Sequence, residues 1–381
     1  MRIGITYDLK VDRVGEEPDG PFPDDLQEEF DSPETIESIA TALHDLGHEV
    51  EMLGDGRELL ERLLADPPDF VFNLAEGQGV SRSREARVPA ILDMLGIPYT
   101  GSDPLTLAVT LDKDCAKRLV QAACVAVPRG FIVEDREHED RETRRNGDTE
   151  TETGTATAAV SDSSPCLRVS VSPCLIPSDP QSSILNPQLS FPLIVKPAWE
   201  GSSKGIRHNC LVTRAEDLDS AIAALQQNHR QPVLVEEFID GDELTVGVIG
   251  NDPPQVLGIM RVLPRQPTPR FIYSLEIKRD FQRQVRYECP AQILPTSLEA
   301  VRQAALTAYR ALGCRDVARI DFRLRDGIPY FLEINPLPGL NPQTSDLVIQ
   351  ARLCGWSYPR LIETILQAAT ERQWSVVSCQ F

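Results

Sequence analysis

No run of apolar residues in this chain approaches the roughly 20 needed to cross a bilayer as a helix, which excludes a helical membrane protein. Basic residues are in deficit. Lys and Arg number 38 against 58 Asp and Glu, a formal charge of −20. That balance excludes a general nucleic-acid-binding surface, yet a phosphate site needs only a few local cations. The nine cysteines are odd in number and include no CxxC pair. They suit reduced intracellular thiols better than a disulfide frame or a zinc site. No GxxxxGK[ST] run occurs, so a nucleotide site here is not a P-loop. A secretory leader is not indicated either. The apolar stretch in Met1-Arg2-Ile3-Gly4-Ile5-Thr6-Tyr7 is short and no small-residue cleavage site follows it. That segment reads as a first buried strand, and the protein as cytoplasmic.

With 381 residues the chain exceeds one ordinary core, so two or three domains are expected. The first hundred residues alternate strand and helix. Ser32-Pro33 supplies an N-cap and a first-turn proline, and Ile36, Ile39, Ala40, Leu43 and Leu46 follow at helical spacing up to Gly47. Strands are expected at Ile3–Tyr7, 48–53 and 70–74, with helices at 57–65 and 88–95. This β-α-β-α-β order implies a parallel sheet covered by helices. One further helix is expected over Leu107–Ala123. From roughly Glu134 to Ser190 no periodicity is sustained, and a disordered insertion is the expectation. Beyond it, antiparallel strands mix with helices at 215–226, 297–312 and 358–370.

The densest chemistry lies in two segments near the end. In Phe331-Leu332-Glu333-Ile334-Asn335-Pro336-Leu337-Pro338-Gly339-Leu340, Glu333 and Asn335 stand at i and i+2, one face of a strand. Just upstream, Arg319 and Asp321 share a face in the same way, and Arg325-Asp326-Gly327 is a good turn between the two. A hairpin with surface acids satisfies this pattern. So does a hairpin whose Asp321, Glu333 and Asn335 hold Mg²⁺ against nucleotide phosphates. A second signal is Lys196-Pro197-Ala198-Trp199-Glu200-Gly201-Ser202-Ser203-Lys204-Gly205, a strand-ending lysine before a Gly/Ser turn able to wrap phosphate oxygens. A third is Glu236-Glu237-Phe238-Ile239-Asp240-Gly241-Asp242-Glu243, two glutamates across a turn. Lys113, taken singly, is a surface lysine by default.

In this order and spacing the segments resemble the ATP-grasp superfamily, and within it D-alanine–D-alanine ligase and its relatives. The likeness runs from about Leu95 to about Leu347 outside the insertion, through 95–102, 111–113, Lys196–Gly205, Glu236–Glu243, Ala318–Phe322 and Glu333–Gly339. It implies a mixed α/β and α+β protein of ATP-grasp fold. An N-terminal parallel-sheet domain (1–104) would precede a central small subdomain (105–240, containing the 134–190 insertion) and a C-terminal antiparallel-sheet subdomain (241–381). It implies ATP with Mg²⁺, or Mn²⁺ in its place, and small amino-acid substrates for cell-wall peptide synthesis. A homodimer is implied, and neither nucleic acid nor membrane as partner. Lys113 and Lys196 would bind phosphates, the Ser202/Ser203 loop would close over them, and Lys278 would belong to the same nucleotide site. Glu236 and the backbone near Phe238 would face adenine, and Glu243 the ribose. Asp321, Glu333 and Asn335 would hold the metal. Arg319 would stabilise the transferred phosphoryl group and an oxyanion, with the Gly339 N–H as second donor.

Three departures bear on the substrate. The family's Gly-Gly-x-Ser-x-Glu run after the first strand is replaced by Asp8-Leu9-Lys10, so Glu29 or Glu34 is the candidate for the amino-group-binding acid. The family tyrosine that closes on the site is Arg279, able to meet a substrate carboxylate or to face solvent. The usual His-Gly-x-x-Gly-Glu-Asp-Gly reads Asn73-Leu74-Ala75-Glu76-Gly77-Gln78-Gly79. Rival readings are a ligase for another amino acid or peptide, and a nucleotide binder without ligase activity.

Overall fold

The computed structural model describes residues 1–10, 23–134, 169–171 and 189–378, so most of the 134–190 insertion lies outside the described residues. Strands β1 (Arg2–Thr6), β2 (Glu49–Gly54) and β3 (Phe70–Asn73) form a parallel sheet ordered β2-β1-β3. Parallel neighbours need crossovers, which helices α1 (Pro33–Asp45) and α2 (Gly56–Ala65) provide. The start of α1 follows its sequence signal. Ser32 is extended, and its hydroxyl accepts the Thr35 N–H at 3.3 Å. Ile36, Ile39 and Leu43 then bury their helix face against Ile3, Ile5 and Phe72. Helix α3 (Arg87–Leu95) stops at Gly96, whose φ of 70° is the left-handed cap that glycine accepts without strain.

The single helix expected over Leu107–Ala123 is two, α4 (Pro104–Leu111) and α5 (Lys113–Ala122). The break is Asp112. Its carboxylate accepts the N–H groups of Asp114 and Cys115 at 3.1 and 3.0 Å, a local bond that competes with a continuing helical ladder. Lys113 thereby becomes the first residue of α5, with Lys117 one turn along the same face.

The middle sheet contains β4 (Gly130–Val133), β5 (Val169–Val171), β6 (Leu193–Pro197), β7 (Leu211–Val212) and β8 (Val233–Glu237). Its strands are antiparallel in the order β5-β4-β8-β6-β7. Strand β5 falls inside the stretch for which no element was expected. Helix α6 (Leu218–His229) packs Leu218, Ile222 and Leu225 onto this sheet.

The last sheet is β9 (Asp242–Ile249), β10 (Gln255–Pro264), β11 (Val285–Glu288), β12 (Val317–Arg325) and β13 (Ile328–Asn335). It is antiparallel, ordered β11-β10-β9-β12-β13. Short helices α7 (Leu275–Arg279) and α8 (Phe281–Gln284) lie between β10 and β11. Helix α9 (Pro295–Ala311) covers one face with Val301, Ala305 and Tyr309. Under it Phe322 and Phe331 meet edge-on, 6.0 Å between ring centroids, with neither exposed. Burying each such ring contributes about 1.5–3 kcal/mol. Helices α10 (Asp346–Leu353) and α11 (Tyr358–Ser378) place Leu347, Leu361 and Ile365 in one core with Ile3, Ile39 and Leu43, packing the first and last parts of the chain together. No helix among the described residues is long and apolar enough to cross a membrane.

Candidate functional site

The β12–β13 hairpin is the seam of the site. Its register pairs Arg319 with Asn335 and Asp321 with Glu333. Strand alternation then sets all four side chains on one face. Arg319 Nη2 lies 2.9 Å from Asp321 Oδ2 and 3.8 Å from Glu333 Oε1, and Thr245 Oγ1 donates to Asp321 Oδ1 at 2.9 Å. Lys113 Nζ is 3.4 Å from Glu333 Oε2 and also donates to the Glu200 carbonyl. Burial opposes the charge on Glu333, but Lys113, Lys196 and Arg319 overcome it and hold this carboxyl far below its usual range. Asp321 shifts the other way, raised by burial and by Glu333 in spite of Arg319. Two carboxylates and an amide are hard oxygen donors of the kind a divalent cation takes. Among the described residues no group of three or more His, Cys, Asp or Glu converges on a metal position. The buried Asn335 Nδ2 has no partner, a donor left open for a ligand or solvent.

On one side of the seam, between the middle and last sheets, Lys196, Ser203, Glu236, Phe238, Glu243, Lys278, Asp321 and Glu333 line a cleft. Glu236 is almost fully buried, its oxygens 2.6 Å from Lys196 Nζ and 2.9 Å from Lys117 Nζ. The lysines keep Glu236 ionised against its burial. Burial and the neighbouring Lys196 pull Lys117 down to about 8 in spite of Glu236. Two lysines on one acid leave a positive charge over. Glu243 meets Arg323 at 2.7 Å, and Arg323 lies over the Phe238 ring at 5.0 Å. Lys278 Nζ sits 5.1 Å above Tyr273, whose carbonyl accepts from Ser203 Oγ at 3.3 Å. Ser202 and Ser203 both have positive φ, 47° and 61°, a tight left-handed turn that non-glycine residues rarely adopt.

On the other side a second cleft is lined by Glu29, Glu76, Glu85, Lys113, Glu200, Ser202, Arg319, Glu333, Asn335 and Gly339. Of the two expected acids, Glu29 lines it, whereas Glu34 is exposed at the start of α1. Glu29 is already engaged, 2.7 Å from Arg84 and 3.0 Å from Lys204, and it accepts the Gly201 N–H. Although burial disfavours its charge, Arg84 and Lys204 hold it down at about 2. Arg84 also reaches Glu200 at 3.2 Å and the Trp199 carbonyl at 2.7 Å, and Lys204 reaches Glu200 at 2.5 Å. Glu85 differs. It is 7% exposed, and burial, with Glu29 adding to it, pushes its carboxyl up to about 7 against the pull of Arg84.

That shift has a sign for stability. Glu85 ionises near 4.5 when unfolded and near 7 when folded, so its charge costs the folded state as pH rises between those values. Glu85→Gln is expected to raise the unfolding free energy above about pH 7 by up to ~3 kcal/mol and to change little near pH 4. Denaturant titrations at the two pH values check it; a gain independent of pH would contradict the assigned cause.

The structure brings together Lys113, Lys196, Ser202, Ser203, Glu236, Phe238, Glu243, Lys278, Arg319, Asp321, Glu333, Asn335 and Gly339 around one seam. Of the two placements open to Arg279, the solvent-facing one holds: it is exposed, lines neither cleft, and its guanidinium meets Asp24 at 2.6 Å and Glu28 at 2.8 Å. Beyond Gly339, Asn341 and Ser345 are engaged within the chain, the Asn341 Nδ2 donating to Thr35 Oγ1 at 2.9 Å. The Asn341 amide accepts from Gln343 N and Thr344 N, and Ser345 Oγ accepts from Asn341 N. Arg84, Lys117, Lys204 and Glu85 received no role from the sequence. For Lys117 a signal existed, its position one turn from Lys113.

Comparison with known proteins follows the same lines. The sequence model of a family described as D-ala D-ala ligase C-terminus matches residues 178–367. An uncharacterised protein of Sinorhizobium fredii is 32% identical, covering 98% of each chain. The D-alanine–D-alanine ligase of Cupriavidus necator is 31% identical over 87% of this chain and 85% of its own. That of Aquifex aeolicus is 30% identical over 87% and 93%. Among solved structures, D-alanine–D-alanine ligase from Bacillus anthracis complexed with ATP superposes with a TM-score of 0.65 at 20% identity, covering 98% of this chain and 99% of that one. The VanG D-Ala:D-Ser ligase of Enterococcus faecalis gives 0.62 at 20%, covering 97% and 99%. At that identity the structures establish a shared fold.

Proposed function

The chain belongs to the D-alanine–D-alanine ligase family of ATP-dependent, peptide-bond-forming enzymes, and from that premise we propose that it joins the carboxylate of one amino acid to the amine of another, with D-alanyl-D-alanine or a close dipeptide as product. One observation carries the reading: two clefts meet at the Arg319, Asp321, Glu333 and Asn335 hairpin, the first presenting Lys196 and Lys278 and the second Glu29, Glu76, Glu85 and Glu200. A triphosphate suits the first and an ammonium the second.

In this reading Lys196 takes the phosphates, with Lys117 beside it, and Lys113 stands at the seam next to Glu333. Glu236 and the backbone at Phe238 face adenine, and Glu243 and Lys278 lie toward the ribose and phosphates. The Ser202/Ser203 turn covers the β- and γ-phosphates and keeps water away. Asp321, Glu333 and Asn335 would hold Mg²⁺, or Mn²⁺ in its place, which when bound draws charge from the phosphate oxygens. A substrate carboxylate oxygen bonds to the γ-phosphorus as ADP leaves, giving an acylphosphate. The nitrogen of the second substrate then bonds to the activated carbon, releases phosphate and loses a proton. Arg319 balances charge on the transferred group and on the tetrahedral oxyanion, with the Gly339 N–H as second donor. The residue ranges 1–104, 105–240 and 241–381 serve as amino-acid side, nucleotide flap and catalytic base of this arrangement.

The test is phosphate release from Mg·ATP with D- and L-amino acids, singly and in pairs. Release with D-alanine alone supports the dipeptide assignment. Release only with another amino acid or pair keeps the chemistry and replaces the substrate. Silence across the panel with ATP still bound favours a nucleotide binder.

A further inference from the structure

Charge pairing in the second cleft is incomplete. Glu29 and Glu200 are matched by Arg84 and Lys204. Glu333 is matched by Lys113, and Asp321 by Arg319. Glu76 and Glu85 remain. Both line the cleft, and among the described residues neither has a hydrogen bond or an ion pair. Glu85 is more than nine-tenths buried. An unpaired carboxylate as buried as that of Glu85 is costly, and Glu76, half-buried, lines the same cleft. Burial raises both carboxyls above their ordinary range; the charges of Glu85 and Glu29 add to it at Glu76 and that of Glu29 at Glu85, against the pull of Arg84 and, at Glu85, of Lys113.

The backbone holds the two together. Gly77, at φ 77°, lies so close to Arg84 that an added Cβ would sit 2.6 Å from the Arg84 carbonyl oxygen, and the Gly77 N–H donates to Asp8 at 2.8 Å. The loop carrying Glu76 is thus pressed onto the turn carrying Arg84 and Glu85.

We propose that Glu76 and Glu85 form a cation subsite that selects an amino-acid substrate bearing a basic side chain in addition to its α-ammonium. The inference rests on the ligase reading and puts a basic amino acid, in place of D-alanine, in one of its two substrate positions. Two unmatched acids call for two positive charges. The α-ammonium supplies one, and a neutral side chain leaves the other acid unsatisfied, whereas a side-chain ammonium or guanidinium completes the set. Glu29, the acid expected to take the α-ammonium, has no charge to spare.

The deciding experiment compares lysine with norleucine, which matches its chain without the charge. Both configurations are titrated calorimetrically into the full-length protein with Mg·ADP. Lysine in one configuration is expected to bind at least tenfold more tightly than norleucine. That preference is expected to fall at least fivefold in Glu85→Gln and in Glu76→Gln, with Glu34→Gln as an exposed control that keeps it. Equal binding of lysine and norleucine, or a preference that survives both cleft substitutions, overturns the subsite. Phosphate release with Mg·ATP and amino-acid pairs is read separately. Its absence with every pair rejects the ligase reading, while the lysine–norleucine comparison still decides the subsite.

Discussion

Glu333→Gln is expected to lower phosphate release at saturating ATP and amino acid by at least about a thousandfold, ~4 kcal/mol of transition-state stabilisation, with the fold retained but less stable. The change is nearly isosteric and removes one charge. Glu333 stands where both clefts meet, with Lys113 at 3.4 Å and Arg319 at 3.8 Å. Its carboxylate lets those cations approach one another and, in the proposed reading, is one of the ligands of a divalent cation. The amide keeps the shape but binds such a cation poorly and leaves Lys113, Lys196 and Arg319 with less to face. Since Glu333 is paired and edges the clefts rather than the hydrophobic core, the fold is expected to survive. Turnover within a few-fold of the parent would reject the metal role assigned to it.

Arg84→Met is expected to have the largest effect on stability, a loss of about 3–5 kcal/mol in denaturant titration. Arg84 touches Glu29, Glu200 and the Trp199 carbonyl, and it is 2% exposed. Without it Lys204 faces two buried acids alone and a carbonyl loses its donor. The pH profile identifies the cause. Glu29 has a folded value of about 2 against 4.5 unfolded, so its contribution is present above pH 4.5 and is lost as pH falls toward 2. In Arg84→Met that acid-side decline is expected to flatten. Adding Glu29→Gln to Arg84→Met is expected to recover part of the loss, because it removes the stranded charge. No recovery would mean that Arg84 acts by packing alone.

Local signals carried much of this architecture into the sequence. Ser32-Pro33 starts α1 by chemistry that acts within three residues. Glu333 and Asn335 share a face because strand period is fixed, and the Arg325-Asp326-Gly327 turn sets the hairpin register that brings Asp321 opposite Glu333. The resemblance to a ligase family was legible for the same reason, since its marks are short runs at element ends. What stayed hidden depends on partners far along the chain. Glu29 reads as one of two candidate acids beside Glu34, and only contacts such as that with Lys204, 175 positions away, set it in the cleft. Arg84 and Glu85 are adjacent charged residues, a pattern that usually means solvent, and their burial comes from packing of their turn on the rest of the fold, the Gly77 contact with Arg84 included. The Asp112 break was missed because Leu107–Ala123 keeps helical periodicity through it. A side-chain cap ends a ladder without changing hydrophobic spacing.

The Asp112 break also links the two clefts mechanically. Helix α5 begins with the lysine that meets Glu333, and one turn later, about 5.4 Å along the axis, it carries the lysine that meets Glu236. Its first N–H is anchored to the Ala198 carbonyl at 3.1 Å, at the root of the Gly/Ser turn. A helix this short behaves as a stiff rod, so a ligand that shifts Glu236 tugs the same rod that positions Lys113. Glu236 and Glu333, one from each side of the seam, are thereby tied to a single element, each through a lysine of its own.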